Sequence, residues 1–255
     1  MEQDRKTYPL ENKKIVVTRP MDSVGEFVSL LYEEKAIPII FPTIETVRCE
    51  LSDEHIEMIK NLERYDILIF TSVKGVLYFF ELIKTMKLNY PKDRKTYAIG
   101  PATGRKLKGY GVDSVIIPEE FVAESLLEIL KDVENKSILI PRAKRAREVL
   151  PVELERRGAI VHVVPIYDTV TKKYEELPSF DDVDVFTFTS PSTFLAFLEI
   201  LSDRARDVLS GKIIASIGPV TSRAIVKSGY RVDIEAKEHT VKGLVEAMKA
   251  YFSLC

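Results

Sequence analysis

Short apolar runs rich in β-branched residues recur along the chain, at 15–17, 37–41, 67–70, 97–99 and 115–117 and again at 138–140, 160–164, 185–188, 213–217 and 232–234. Most are continuously apolar rather than alternating, as parallel strands covered on both faces are. The pattern predicts ten strands. Between them lie stretches with apolar residues at helical spacing and charges on the opposite face, such as Val76, Leu77, Phe80 and Ile83, or Val122, Leu126, Leu127 and Leu130. Strand and helix therefore alternate with short connections, which marks a doubly wound parallel α/β architecture.

The pattern also repeats internally. YDILIFTS (65–72) matches VDVFTFTS (183–190) at an offset of 118, and the same offset carries IGPATGR (99–105) onto IGPVTSR (217–223). Five identities in register in the second pair have a chance of about one in a million at roughly 5% usage per residue type, so the segments are duplicates. A second pair is offset by 123: IVVTRP (15–20) on ILIPRA (138–143), and AIPIIFP (36–42) on AIVHVVP (159–165). The difference between the offsets falls within 42–65 and 165–183, polar stretches that read as linkers. The chain is then A, B, A′, B′, with two strands in each A and three in each B. A five-stranded sheet needs one of each, and tandem pairing (A with B) and crossed pairing (A with B′) both satisfy the count.

Composition narrows the class. With 255 residues, 45% hydrophobic and 30% charged, the chain has the usage of a globular protein of one large or two ordinary domains. Its 37 basic and 39 acidic residues nearly cancel, so charge argues for neither nucleic acid nor an anionic membrane surface. Three His and two distant Cys, Cys49 and Cys255, build neither a zinc knuckle nor a disulfide framework, and a reducing, cytoplasmic setting is expected. The first dozen residues are polar and read as a mobile tail without an export segment, and no run approaches the roughly 18 apolar residues of a spanning helix. There is no G-x-G-x-x-G after a strand, no Walker loop and no nucleophile elbow.

Candidate chemistry gathers where strands end and helices begin. Thr71-Ser72, Gly100-Pro101 with Thr103, Thr189-Ser190-Pro191, and Gly218-Pro219 with Thr221 all have the form of helix N-termini. Such turns present amide donors and a partial positive charge that suit carboxylates or phosphates, although every helix also needs a cap. Their position outside the carboxyl ends of strands is where open α/β sheets bind ligands. Arg19 and Arg142 hold matched places in the 123 offset, and Lys144, Arg145 and Arg147 extend the second into a basic cluster. Tyr167 aligns with Ile44, so the duplicate lacks the phenol; it reads either as a packed linker tyrosine or as a metal-free proton donor. His162, inside an apolar run, reads as a satisfied core residue, and neither Cys49 nor Cys255 has a base beside it.

In order and spacing, VTRP (17–20), IFTSVKGV (69–76), IGPAT (99–103), PIY (165–167), FTSPS (188–192) and IGPVT (217–221) resemble the uroporphyrinogen-III synthase family over about residues 14–250. The resemblance implies crossed pairing: one domain from 1–42 and 168–255, a second from 43–167, both flavodoxin-like, with linkers of about 43–64 and 166–182 paired as a short ladder. It implies the substrate hydroxymethylbilane, a linear tetrapyrrole with eight carboxylates, closed with inversion of ring D to uroporphyrinogen III plus water. No cofactor and no metal are expected. A cytoplasmic monomer is expected, with room for transient contact with hydroxymethylbilane synthase. Tyr167 matches the family's Pro-x-Tyr and is the implied proton donor. Arg19, Thr71, Ser72, Gly100, Thr103, Arg142, Thr189, Ser190, Gly218 and Thr221 are the implied carboxylate contacts. The competing expectation is a two-lobed protein that captures an anionic small molecule without chemistry.

Overall fold

The computed structural model describes residues 7–254. Cys255 and residues 1–6 of the expected tail lie outside the described residues. The first elements in chain order are β1 (Lys14–Val17), α1 (Gly25–Glu33), β2 (Ile37–Ile40), β3 (Ile44–Arg48) and α2 (Asp53–Lys60). Next come β4 (Ile67–Phe70), α3 (Val73–Thr85), β5 (Lys95–Ala98), α4 (Pro101–Gly109), β6 (Val115–Ile116) and α5 (Ala123–Ile129). The middle of the chain forms β7 (Ser137–Ala143), α6 (Val149–Arg156), β8 (Ile160–Thr171), β9 (Val185–Phe188) and α7 (Pro191–Leu201). It closes with α8 (Ala205–Leu209), β10 (Ile213–Ser216), α9 (Pro219–Lys227), β11 (Ile234–Glu235) and α10 (Val241–Phe252).

The fold is α/β with two mainly parallel sheets. One has the order β11-β10-β9-β1-β2, parallel throughout. The other has the order β3-β8-β7-β4-β5-β6, parallel from β8 to β6. The chain forms two compact units, Met1–Glu45 with Val170–Cys255 and Thr46–Thr169. Both breaks fall inside β3 and β8, which neighbour each other in the second sheet.

Apolar runs become two-sided strands because side chains alternate across a sheet. In the first unit Ile15 and Val17 enter a cluster with Phe27, Leu31 and Met248, while Val16 joins Phe186, Phe194 and Phe197 on the opposite face. In the second unit Leu68 and Phe70 of β4 pack with Phe79, and Ile67 and Ile69 pack with Leu126 and Leu154. Each such side chain contributes roughly 1.5–3 kcal/mol by leaving water.

Three expectations need correction. Residues 7–12 are not a loose tail: Leu10 is fully buried and the Asn12 N–H donates to Lys35 O at 2.9 Å. The stretch read as the first linker holds β3 and α2, so there are eleven strands among the described residues rather than ten. His162 is half-buried against Tyr65, with its Nδ1 lacking a hydrogen-bond partner, so it is not a satisfied core residue. Burial, together with the charge of Arg64, lowers the pKa of that imidazole.

Candidate active site

In the second unit four neighbouring strands bring predicted residues to one edge of the sheet: β8 carries Tyr167, β7 carries Arg142, β4 runs into Thr71 and Ser72, and β5 runs into Gly100. Ser72 is the N-cap of α3 and accepts the Gly75 N–H on Oγ at 3.0 Å. Position 75 has little room for a side chain, because a Cβ there would lie 3.2 Å from Ser72 Oγ and 3.3 Å from Pro141 O. The start of α3 therefore sits directly against the end of β7.

Tyr167 reaches that start. Its Oη lies 2.9 Å from Ser72 Oγ, and the ring, 7% exposed, stacks on Tyr78 with centroids 5.4 Å apart and planes 14° from parallel. The Tyr78 hydroxyl in turn donates to Thr46 O at 2.9 Å. The local sequence explains the orientation. Pro165 has no N–H for the ladder, and the register with β7 shifts beside it, Arg142 facing Pro165 but Ala143 facing Tyr167. The extra residue makes a bulge, so Ile166 and Tyr167, adjacent in sequence, both enter the same buried cluster. The Lys144 N–H then fixes the Tyr167 carbonyl at 2.8 Å.

Arg142 is differently placed from an open carboxylate contact. It is 4% exposed; one terminal nitrogen donates to Arg147 O at 2.7 Å and the other pairs with Glu148. The guanidinium thereby ties Arg147 and Glu148, at the end of the following loop, to β7, and its Nε has no hydrogen-bond partner. Beyond this loop Arg145 Nε lies 3.4 Å from Asp168 Oδ2. Burial and the Asp168 carboxylate push the Cys49 thiol up, against the opposing charge of Lys144, which suits no nucleophile.

In the first unit β1 runs into Arg19, β9 into Thr189 and Ser190, and β10 into Gly218, again on adjacent parallel strands. Arg19 donates its Nε–H to Ser23 O at 3.1 Å. Ser190 opens α7 with a reciprocal cap: it accepts the Thr193 N–H at 3.2 Å, and its own N–H donates to Thr193 Oγ1 at 3.3 Å. The Gly218 N–H is not open, since it donates to the buried Ser216 Oγ at 3.2 Å. Thr103 and Thr221 lie on the packed sides of α4 and α9, only 3% and 2% exposed.

The duplication holds at backbone level. Ile99 N–H donates to Phe70 O at 2.9 Å, and Ile217 N–H to Phe188 O at 3.0 Å. It also exposes a pair that motif reading missed. A Cβ on Gly218 would come within 2.5 Å of the His239 ring, and one on Gly100 within 3.7 Å of Phe121. Phe121 and His239 stand 118 apart, so each unit lays an exposed ring beside its Gly-Pro turn. Tyr78 was missed for another reason: its role depends on the bulge in β8.

A cavity of about 620 Å³ in the first unit lies elsewhere, lined by Asp233, Glu235, Glu238 and Glu246 with Lys237 and Lys242. Four carboxylates against two ammonium groups make it unsuited to a polyanion. Among the described residues no helix is long and apolar enough to cross a membrane.

Fold and site together define an α/β protein whose two mainly parallel sheets carry helix N-termini and hydroxyl groups at their strand ends, with the Tyr167 phenol set against one of them. The uroporphyrinogen-III synthase HemD family model matches residues 25–246, and the chain belongs to that family. A protein of Methanocaldococcus jannaschii, provisionally named as a uroporphyrinogen-III synthase, is 34% identical over 242 residues, 92% of this chain and 98% of its own. The uroporphyrinogen-III synthase of Synechococcus elongatus is 30% identical over 261 residues, 95% of this chain and 97% of its own. The crystal structure of the Helicobacter pylori uroporphyrinogen-III synthetase shares the fold, with a TM-score of 0.60 at 20% identity over 96% of this chain and all of that one.

Proposed function

We propose that the chain is a uroporphyrinogen-III synthase, a lyase that closes hydroxymethylbilane to uroporphyrinogen III plus water. The observation that carries this reading is the family match over residues 25–246. The strand ends support it. Eight carboxylates call for many donors, and Arg19, Thr71, Gly100, Thr189 and Ser190 occupy the carboxyl edges of their sheets, where Ser72 faces Tyr167 instead, with Gly218, Thr103 and Thr221 shaping the turns from behind. Arg142 acts through the 143–148 loop that it holds.

In the proposed reaction Tyr167 gives its proton to the terminal hydroxyl. The C–O bond breaks as the pyrrole nitrogen releases electrons, water leaves, and an azafulvene cation remains. Ring D attacks through its substituted carbon and forms a spiro intermediate. Fragmentation and reclosure invert the ring, and the proton finally lost from carbon balances the one donated. Because the bilane also closes spontaneously without inversion, the larger task is to hold ring D so that the wrong carbon cannot attack.

The reading includes two flavodoxin-like domains, 1–42 with 168–255 and 43–167. The order β2-β1-β9-β10-β11 supports this as the 2-1-3-4-5 arrangement, and β8-β7-β4-β5-β6 supports it as the same order with the chain entering at its third strand. It also includes a cytoplasmic monomer that receives the short-lived bilane from hydroxymethylbilane synthase. Incubation of the chain with freshly generated bilane, followed by chromatographic separation of isomers, tests the activity. An excess of isomer III is expected; binding of the bilane with an unchanged isomer ratio would favour a capture protein instead.

A further inference from the structure

We infer that Ser72 is a positioning residue that orients the proton of Tyr167. This rests on the proposed synthase activity and extends it to a second hydroxyl. Tyr167 Oη and Ser72 Oγ are 2.9 Å apart, and either oxygen could donate. The direction matters. If Tyr167 donates, its proton is tied up inside the protein; if Ser72 donates, the phenol proton is left for another acceptor.

Three features favour donation by Ser72. Its oxygen already accepts the Gly75 N–H at 3.0 Å, and a hydroxyl whose oxygen accepts becomes a better donor through polarisation. It stands at the N-terminus of the 13-residue α3, whose partial positive charge stabilises electron density on the oxygens facing it. Donation to Tyr167 Oη also stabilises the phenolate that proton transfer leaves behind.

Geometry confines the phenol to this contact. The Tyr78 ring stacks on it at 5.4 Å, the Lys144 N–H holds its carbonyl, and the bulge beside Pro165 fixes the approach of β8. Among the described residues Ser72 is the hydrogen-bond partner of Tyr167 Oη. The cap thus couples the start of α3 to the proton donor, a task distinct from gripping a carboxylate.

The test is steady-state and single-turnover isomer-III formation by Ser72→Ala, Ser72→Gly and Ser72→Thr, each alone and combined with Tyr167→Phe. Glycine keeps most of the capping stability while removing the hydroxyl, so it separates folding from chemistry. We expect Ser72→Ala and Ser72→Gly to lower kcat about tenfold or more with KM within about twofold, on the general-acid scale. Ser72→Thr should restore most of kcat, and in the Tyr167→Phe background the Ser72 changes should have almost no further effect. Undiminished kcat in Ser72→Gly, a loss confined to KM, or full additivity with Tyr167→Phe would overturn the inference while leaving the synthase reading intact. Absence of excess isomer III from the unaltered chain would overturn both.

Discussion

Arg142 lies at the strand end that its match with Arg19 predicts, yet its side chain is buried and bonded within the protein. Its match with Arg19 at a strand end suggested a carboxylate contact, but a guanidinium 4% exposed and bonded to Arg147 O and Glu148 has its terminal nitrogens engaged within the protein. Arg142→Ala should therefore cost about 1.5–3 kcal/mol in urea unfolding, the scale of a charged hydrogen bond, because it frees the 143–148 loop. Unchanged stability with weakened bilane binding would return Arg142 to the role of direct contact. Tyr167 stands out in the sequence because its duplicate carries Ile44, whereas its stacking partner Tyr78 does not: 89 positions separate the rings, and the bulge beside Pro165 brings them together. Ser216, which claims the Gly218 amide, was hidden in the same way inside an apolar run.

At the scale of elements, the apolar runs located ten strands because parallel strands buried on both faces advertise themselves. β3 escaped notice because its five residues, two of them charged, have no fully buried position and resemble the polar linker around them. Helix starts were the most legible boundaries: Ser72, Gly100, Ser190 and Gly218 all occupy N-cap positions. The N-terminal segment gives no periodic signal, because Tyr8, Pro9 and Leu10 form one short cluster in an otherwise polar stretch. Since Leu10 is fully buried with Phe27 and Met248, Leu10→Ala should cost about 2–5 kcal/mol by thermal or urea unfolding. A change under about 0.5 kcal/mol, as for an exposed surface site, would show that the segment is not docked.

At the scale of the whole molecule, each compact unit holds a half-buried tyrosine that resists ionisation. Burial pushes Tyr90 up to about 12, with the Thr96 hydrogen bond opposing, and burial with the Glu45 charge pushes Tyr174 up to about 12. A raised folded-state pKa means the folded chain holds these protons more tightly than the unfolded one. Stability is then retained below the ordinary phenol value near 10 and declines as pH rises from there towards 12. Tyrosine absorbance followed with circular dichroism should show a late-titrating fraction that ionises together with unfolding; complete titration near 10 with the fold intact would contradict this.

Crossed pairing of the repeats was the feature that periodicity left open, because both pairings satisfy the same strand count; the contacts divide the chain at Glu45 and Thr169. On that scaffold the proposed chemistry has strand ends holding the bilane for inversion and Tyr167 supplying the proton. Its most direct test is single-turnover closure with enzyme in excess, comparing the unaltered chain with Tyr167→Phe and resolving both isomers. A rate about ten- to a thousandfold lower is expected for the variant, with the enzyme-formed product still isomer III. Full-rate closure by Tyr167→Phe, or isomer I as the main product of the unaltered chain, would contradict it.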